Sequence, residues 1–266
     1  MKSRFLPSLR PPTAASVQHP WTNLGEASEA ARVHLASLTI AHDRFPTRDL
    51  YPFHLPLFQR TTTVPIDAPV TLFVGENGSG KSTLLTAIAR RAGIHIWENQ
   101  ERSRSHHNPH AENLCDCLDL RWTAGPKPGS FFSAENFRHF AELVDAWATS
   151  DPGLFGYFGG SSLTEKSHGQ CNMSFFGSRY GVEGLYLLDE PESALSPRRQ
   201  LELRDLLGRA AGRGHAQFIV ATHSPILLSL PGARILSFDG GFVQPVAFED
   251  TDHLRLYREF FASLAR

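Results

Sequence analysis

Three short, largely apolar runs mark the chain: Val70 to Val74 (VTLFV), Gly184 to Leu188 (GLYLL) and the stretch QFIVA from Gln217 to Ala221. Apolar runs without polar alternation are expected of strands covered on both faces. Helical spacing alternates with them. Ser82 to Ala92 places Leu84, Leu85 and Ile88 on one face, with Gly93 as its stop. Ser133 to Ala148 carries Phe137, Phe140, Leu143, Val144 and Trp147 at amphipathic spacing. Ser196-Pro197 is an N-cap with proline at the first helical position, and that helix runs to about Ala211, before Gly212. Val33 to Ile40, TTTVPI at 61–66 and LCDCLDLRW at 114–122 suit further strands. ARILSFD and FVQPVAF suggest a hairpin turning at Gly240-Gly241, and a last helix starts at about Asp252. Phe45 to Pro56 and the His-rich stretch 98–112 read as loops, and 151–162 as a Gly-rich mobile segment.

Residues 1–30 read as a flexible, basic, Pro/Ser-rich tail without the apolar centre of a secretory signal. An organellar transit peptide is the alternative, disfavoured because the prolines at 7, 11 and 12 break any amphipathic helix. Residues 31–266 read as one domain. At 41% hydrophobic and 20% charged, the 266-residue chain can bury an ordinary core. A formal net charge of −1 gives no global basic footprint, so nucleic-acid binding would need a local patch. The three cysteines are too few and too odd for a disulfide framework, which points to a reducing, cytoplasmic setting. No apolar run is long enough to span a membrane.

The chemistry lies where the apolar runs end. After VTLFV comes Gly75-Glu76-Asn77-Gly78-Ser79-Gly80-Lys81-Ser82-Thr83, a G-x-x-x-x-G-K-[ST] phosphate-binding loop between a strand and a helix. Its glycines let backbone N–H groups turn toward phosphate oxygens, and the helix N-terminus adds positive potential. Lys81 reaches the terminal phosphates and the Ser82 hydroxyl ligates Mg²⁺, so ATP and Mg²⁺ are the expected ligands. After GLYLL come Asp189 and Glu190, the first to hold the metal shell and the second to orient the attacking water. After QFIVA comes Thr222-His223-Ser224-Pro225, and His223 is placed to contact the γ-phosphate.

With these motifs the chain resembles the ABC ATPases. GENGSGKST looks like their Walker A, LYLLDE like their Walker B with its catalytic Glu, Ser193 to Ser196 like their D-loop, and His223 like their switch histidine. Ser167-His168-Gly169-Gln170 resembles their signature, with His where the second position is usually Gly. The short form with FFSAENF, DEPESALSPRRQ and ATHSPILL resembles stand-alone ATPases related to SMC-like and overcoming-lysogenization-type proteins. The resemblance implies an α/β P-loop fold of the ABC type: a mostly parallel core sheet, an N-terminal antiparallel β-layer and a small helical insert around 130–165. It also implies an ATP-sandwiched homodimer in which Ser167, Gly169 and Gln170 serve the nucleotide of the other protomer. Lys81, Glu190 and His223 would then carry hydrolysis.

Two departures from the family follow. No glutamine lies between Gln100 and Gln170, so the usual Q-loop residue is missing. Glu135 or Asn136 is the candidate replacement, the alternative being that they merely begin the Ser133 helix. The stretch between Lys81 and Ser167 also leaves no room for a long coiled coil. Tyr51 or Phe53 could stack on adenine or could simply pack. His106, His107, His110, Cys115 and Cys117 match no standard zinc spacing, and the two cysteines are expected on one buried strand face. Arg198 and Arg199 are either a contact to DNA or a second protomer, or a solvated helix start. Family members act in DNA repair, chromosome maintenance or phage defence. A transporter subunit and a nucleotide-gated regulatory module with negligible turnover are the alternatives, and an unidentified protein partner fits any of them.

Overall fold

The computed structural model describes residues 33–97, 108–151 and 167–264, together with 153, 155, 162 and 164. The expected tail, His106 and His107, and most of the Gly-rich stretch lie outside the described residues. In chain order the strands are β1 (Leu35–Ile40), β2 (Thr63–Pro65), β3 (Val70–Val74), β4 (Leu118–Trp122), β5 (Gly129–Ser133), β6 (Gly184–Asp189), β7 (Ala216–Ala221), β8 (Arg234–Ser237) and β9 (Gln244–Pro245). The helices are α1 (Pro56–Arg60), α2 (Lys81–Arg91), α3 (Phe137–Ala148), α4 (His168–Arg179), α5 (Pro197–Gly212), α6 (Pro225–Leu228) and α7 (Asp252–Leu264).

These strands form two sheets. The larger has the order β5-β6-β7-β3-β8-β9, parallel except for β9, and the smaller is the antiparallel β2-β1-β4. Successive strand side chains point to opposite faces, and the core divides accordingly. Leu72, Val74, Tyr186, Leu188, Phe218 and Val220 pack on one face with α3, α4 and α5. Phe73, Leu185, Leu187, Ile219 and Ala221 pack on the other with Leu84, Leu85 and Ile88 of α2 and with the small sheet's Leu35 and Leu38. Both faces are covered, so the central strands tolerate no polar alternation.

Beside Thr71 of β3, Gln217 is a fully buried polar residue inside that core. Its Oε1 accepts from the backbone N–H groups of His34 (2.9 Å) and Leu35 (2.8 Å). Its Nε2 donates to the carbonyls of Leu35 (2.9 Å), Ile66 (2.9 Å) and Ala68 (3.1 Å). One buried carboxamide thus ties the large sheet to the small one and leaves none of its own polar capacity orphaned.

Several expectations are corrected. Ser133 does not begin a helix: it ends β5, Ala134 to Asn136 form a turn, and α3 starts at Phe137. Asn113–Cys117 is a 3-10 turn, with strand only from Leu118, because Leu114 and Cys117 face the core three residues apart. Cys115 and Cys117 therefore share no strand face: Cys117 is buried and Cys115 only partly so. Phe53 is fully buried in the core and is out of reach for stacking on a ligand. The closing hairpin is reduced to two residue pairs, Leu236 with Pro245 and Ser237 with Gln244. Elsewhere, α7 leaves Leu256, Phe260, Phe261 and Leu264 exposed. No helix among the described residues is long and apolar enough to cross a membrane.

Candidate functional site

Sheet register brings the motifs together. Across the large sheet Ser133 pairs with Asp189, Asp189 with Ala221, and Ala221 with Phe73. The ladder runs on past the strand ends, with Glu190 N–H donating to Ala221 O (2.9 Å) and Thr222 N–H to Phe73 O (3.1 Å). The next residues on three neighbouring strands are therefore Val74 before the loop, Glu190, and Thr222-His223. They lie at the carboxyl end of the sheet, where open α/β folds bind ligands.

The loop from Gly75 to Gly80 wraps tightly. Gly75 has φ 149°, and a Cβ there would come within 3.0 Å of Asp239 Oδ1. Gly80, the N-cap of α2, has φ 102°, and its Cβ would meet Leu57 at 3.0 Å. Glu76, Asn77 and Gly78 are exposed at the tip. Asp239, which the sequence reading missed, accepts from Glu76 N–H (3.0 Å) and braces the loop. Lys81 is buried, and its Nζ donates to the carbonyls of Gly75 (2.6 Å) and Glu76 (2.9 Å). Burial holds its pKa below the ordinary lysine value, against the opposing pull of Glu190, Asp239 and Asp189. Ser79 Oγ is buried without a hydrogen-bond partner among the described residues.

Ser82 Oγ donates to Asp189 Oδ1 at 2.8 Å. Burial pushes the Asp189 carboxyl up to about 6, the Ser82 hydrogen bond opposes this, and Glu190 adds to it. Glu190 itself has φ 47°, an uncommon conformation for a residue with a Cβ. Its Oε1 lies 3.8 Å from His223 Nε2, and its Oε2 accepts from Ser193 Oγ (3.3 Å). Burial, then Lys81 and His253, depress the His223 pKa, which keeps its imidazole neutral near pH 7. Glu192 was also missed. Its Oε1 accepts from both Thr222 Oγ1 and His223 N–H at 2.7 Å, fixing the strand-end turn that carries His223. The signal for it was DEPES, where an acid follows the proline at the close of a central strand.

Two adjoining cavities, about 350 and 500 Å³, share Ser82, Ser133, Glu135 and Asp189 as lining. Glu135, in the turn after β5, thus stands beside the Ser82–Asp189 pair, and Asn136 lines the first cavity only. Tyr51 is on the rim of that first cavity, its hydroxyl 2.7 Å from Thr83 Oγ1. Ser167, Gly169 and Gln170 do not line either cavity. Ser167 caps α4 through a capping box with Gln170, and a Cβ on Gly169 would meet Ala194 O at 2.9 Å. Arg199 pairs with Glu202 on its own helix (2.5 Å), and Arg198 is exposed. Cys115 and Cys117 direct their thiols to the backbone carbonyls of Glu112 and Arg44.

The chain is 30% identical over 212 residues to the hemin import ATP-binding protein HmuV of Rhodopseudomonas palustris, covering 71% of this chain and 77% of that protein. It belongs to the ABC-type P-loop ATPases. Within this ABC-type ATPase, residues 54–90 match a family described as "AAA domain". Residues 169–229 match one described as "AAA domain, putative AbiEii toxin, Type IV TA system". Among solved structures, the SMC head domain from Thermotoga maritima aligns with TM-score 0.46 at 15% identity, over 81% of this chain and 99% of that one. For cbiO1 from Clostridium perfringens, part of the ABC transporter complex cbiONQ, the TM-score is 0.41 at 15% identity, over 76% and 85%. In this ABC-type ATPase the mostly parallel sheet carries the glycine-rich loop between β3 and α2, and β6 ends at Asp189 with Glu190 next in the chain.

Proposed function

We propose that this protein hydrolyses ATP with Mg²⁺ between two copies of itself. The observation that carries the reading is the convergence of Ser82, Asp189, Glu190 and His223 at one sheet edge, with Lys81 folded back on its own loop. Lys81 donates to two loop carbonyls, a stand-in for the phosphate oxygens it would hold with ATP bound. The unpartnered Ser79 hydroxyl and the braced loop glycines fit an anion in the same cradle.

Ser82 and Asp189 fit a divalent cation: a hydroxyl and a carboxylate oxygen already converge, and burial leaves that carboxylate short of compensating charge. Mg²⁺ held there would neutralise charge on the β- and γ-phosphates. Glu190 orients the attacking water and polarises it. His223, neutral and fixed by Glu192, contacts the γ-phosphoryl and completes the water's positioning. Glu135 supplies the contact usually made by the missing Q-loop glutamine, and Tyr51 offers its ring to adenine.

Ser167, Gly169 and Gln170 line neither of the two cavities that hold Ser82 and Asp189, which supports their acting on the nucleotide of a second protomer. ATP bound at two such interfaces favours the closed dimer by mass action. The match over 169–229 to a family described as a putative toxin of a Type IV TA system, with the sequence resemblance to stand-alone SMC-related ATPases, supports work in defence or on nucleic acid. A second reading, a transporter's nucleotide-binding subunit, is favoured by the hemin import relative. The deciding experiment measures phosphate release with and without Mg²⁺ and DNA, for wild type, Lys81→Ala and Glu190→Gln. Turnover that requires Mg²⁺, Lys81 and Glu190 supports the proposal. Unimpaired ATP binding by Lys81→Ala overturns it. DNA binding that needs ATP and falls steeply with salt favours the nucleic-acid reading, and co-purification with a permease favours the transporter reading.

A further inference from the structure

The imidazole of His223 does not stand alone. Its Nδ1 lies 3.0 Å from Nε2 of His253, in the first turn of α7, with the two ring centroids 5.2 Å apart. His253 is held there by its own segment. Thr251, buried just before α7, donates through Oγ1 to Phe248 O (2.8 Å) and accepts from Leu254 N–H (3.4 Å). His223 Nε2, on the other side of its ring, faces Glu190 Oε1 at 3.8 Å, while His253 Nδ1 is buried without a partner among the described residues.

In a neutral His–His pair one ring must donate and the other accept. If His223 carried its proton on Nδ1, its Nε2 lone pair would face the Glu190 carboxylate, an electrostatic clash. If His253 Nε2 carries the proton, His223 Nδ1 accepts it. Nε2–H of His223 then points to the side shared with Glu190, where it can donate to a phosphoryl oxygen or to the water. The second ring nitrogen's partner selects the tautomer of a functional histidine.

We propose that His253 is a positioning residue that locks His223 in the Nε2–H tautomer by donating its own Nε2–H to His223 Nδ1. The role rests on the hydrolytic reading given above, because it matters for rate only if His223 serves the γ-phosphoryl. It makes the start of α7 part of the site's supporting shell, although that helix lies outside the region matched to known families.

The test compares His253→Ala and His253→Gln with wild type in three measurements: kcat and KM for ATP, thermal midpoint, and the ¹⁵N imidazole spectrum of His223, assigned by its loss in His223→Gln. A glutamine amide can still donate to Nδ1. Expected is a kcat about tenfold lower in His253→Ala with KM within twofold, most of the rate restored in His253→Gln. The His223 spectrum should be that of the Nε2–H tautomer in wild type and a tautomer mixture in His253→Ala. An Nδ1–H spectrum in wild type, or an unchanged kcat in His253→Ala, overturns the proposal. So does an equal rate loss in both variants accompanied by a lowered thermal midpoint, which would make His253 a packing residue. The spectrum needs no turnover: a wild type that releases no phosphate counts against the hydrolytic reading, while the tautomer result still decides the pair.

Discussion

Ser82 and Asp189, 107 residues apart in the chain, share a 2.8 Å hydrogen bond in which the hydroxyl donates to the carboxylate. Burial nevertheless pushes the carboxyl up to about 6, because loss of water outweighs that bond and Glu190 adds its charge. A buried acid held above its ordinary value costs stability when ionised. The folded chain holds the Asp189 proton up to about pH 6, and the unfolded chain releases it near 4. Stability therefore declines as pH rises through that window and stays reduced above it. Asp189→Asn is expected to raise the thermal midpoint of the nucleotide-free protein at pH 7.5, by an amount worth at most about 3 kcal/mol. The gain should shrink as pH is lowered toward 4. Melting curves for both proteins across pH 4.5–8 would show it, and an equal gain at every pH would contradict the burial argument. The same variant should lose Mg²⁺-dependent ATP binding.

Lys81 is buried with two carbonyl acceptors, and burial already depresses its pKa. Removing it deletes a charge-assisted contact to the nucleotide of about 1.5–3 kcal/mol. Lys81→Ala should bind ATP about 10- to 100-fold more weakly in a calorimetric titration, without a large loss of thermal stability, because only two loop carbonyls lose a donor.

Glu190 combines a carboxylate near His223 with a backbone at φ 47°. Glu190→Gln keeps the shape and should cut phosphate release about 10²–10³-fold while ATP affinity holds. Glu190→Gly relieves the backbone and should be equally inactive. Its fold should be as stable as wild type or slightly more so, by about 1 kcal/mol. Parallel denaturant melts and turnover assays separate the two effects.

Gln217 answers five backbone groups of the small sheet and its neighbouring segment. Gln217→Leu fills the volume but leaves those groups unpaired in a dry interior. The expected destabilisation is about 2–5 kcal/mol, read from the urea midpoint. A change below 0.5 kcal/mol would mean that water replaces the side chain.

Much of the central architecture could be read from local pattern, because a strand covered on both faces admits few polar residues. VTLFV, GLYLL and QFIVA announce themselves for that reason, and the glycines of GENGSGKST mark a loop that only they can turn. β5 was not legible. Its Phe131-Phe132 pair merges with the aromatic spacing of α3, and only pairing with β6 makes it a strand. Asn113–Cys117 misled in the opposite sense, since its alternation is overridden by contacts of Leu114 and Cys117 three residues apart. Glu192, Asp239 and His253 were missed because each acts through a partner far away in the chain.

By itself the chain determined its class and its motif chemistry: which runs are buried, where the loop turns, and which acids and which imidazole end the central strands. Those are matters of local sterics and of water's rejection of apolar surface. Distances between strand ends were decided only by the tertiary structure. Sheet register places Asp189 opposite Ala221, so that Glu190 and His223 emerge together, and folding of α7 brings His253 behind that ring. Hydrogen-bond geometry of this kind depends on ångström-scale positions across the fold, which no local pattern encodes.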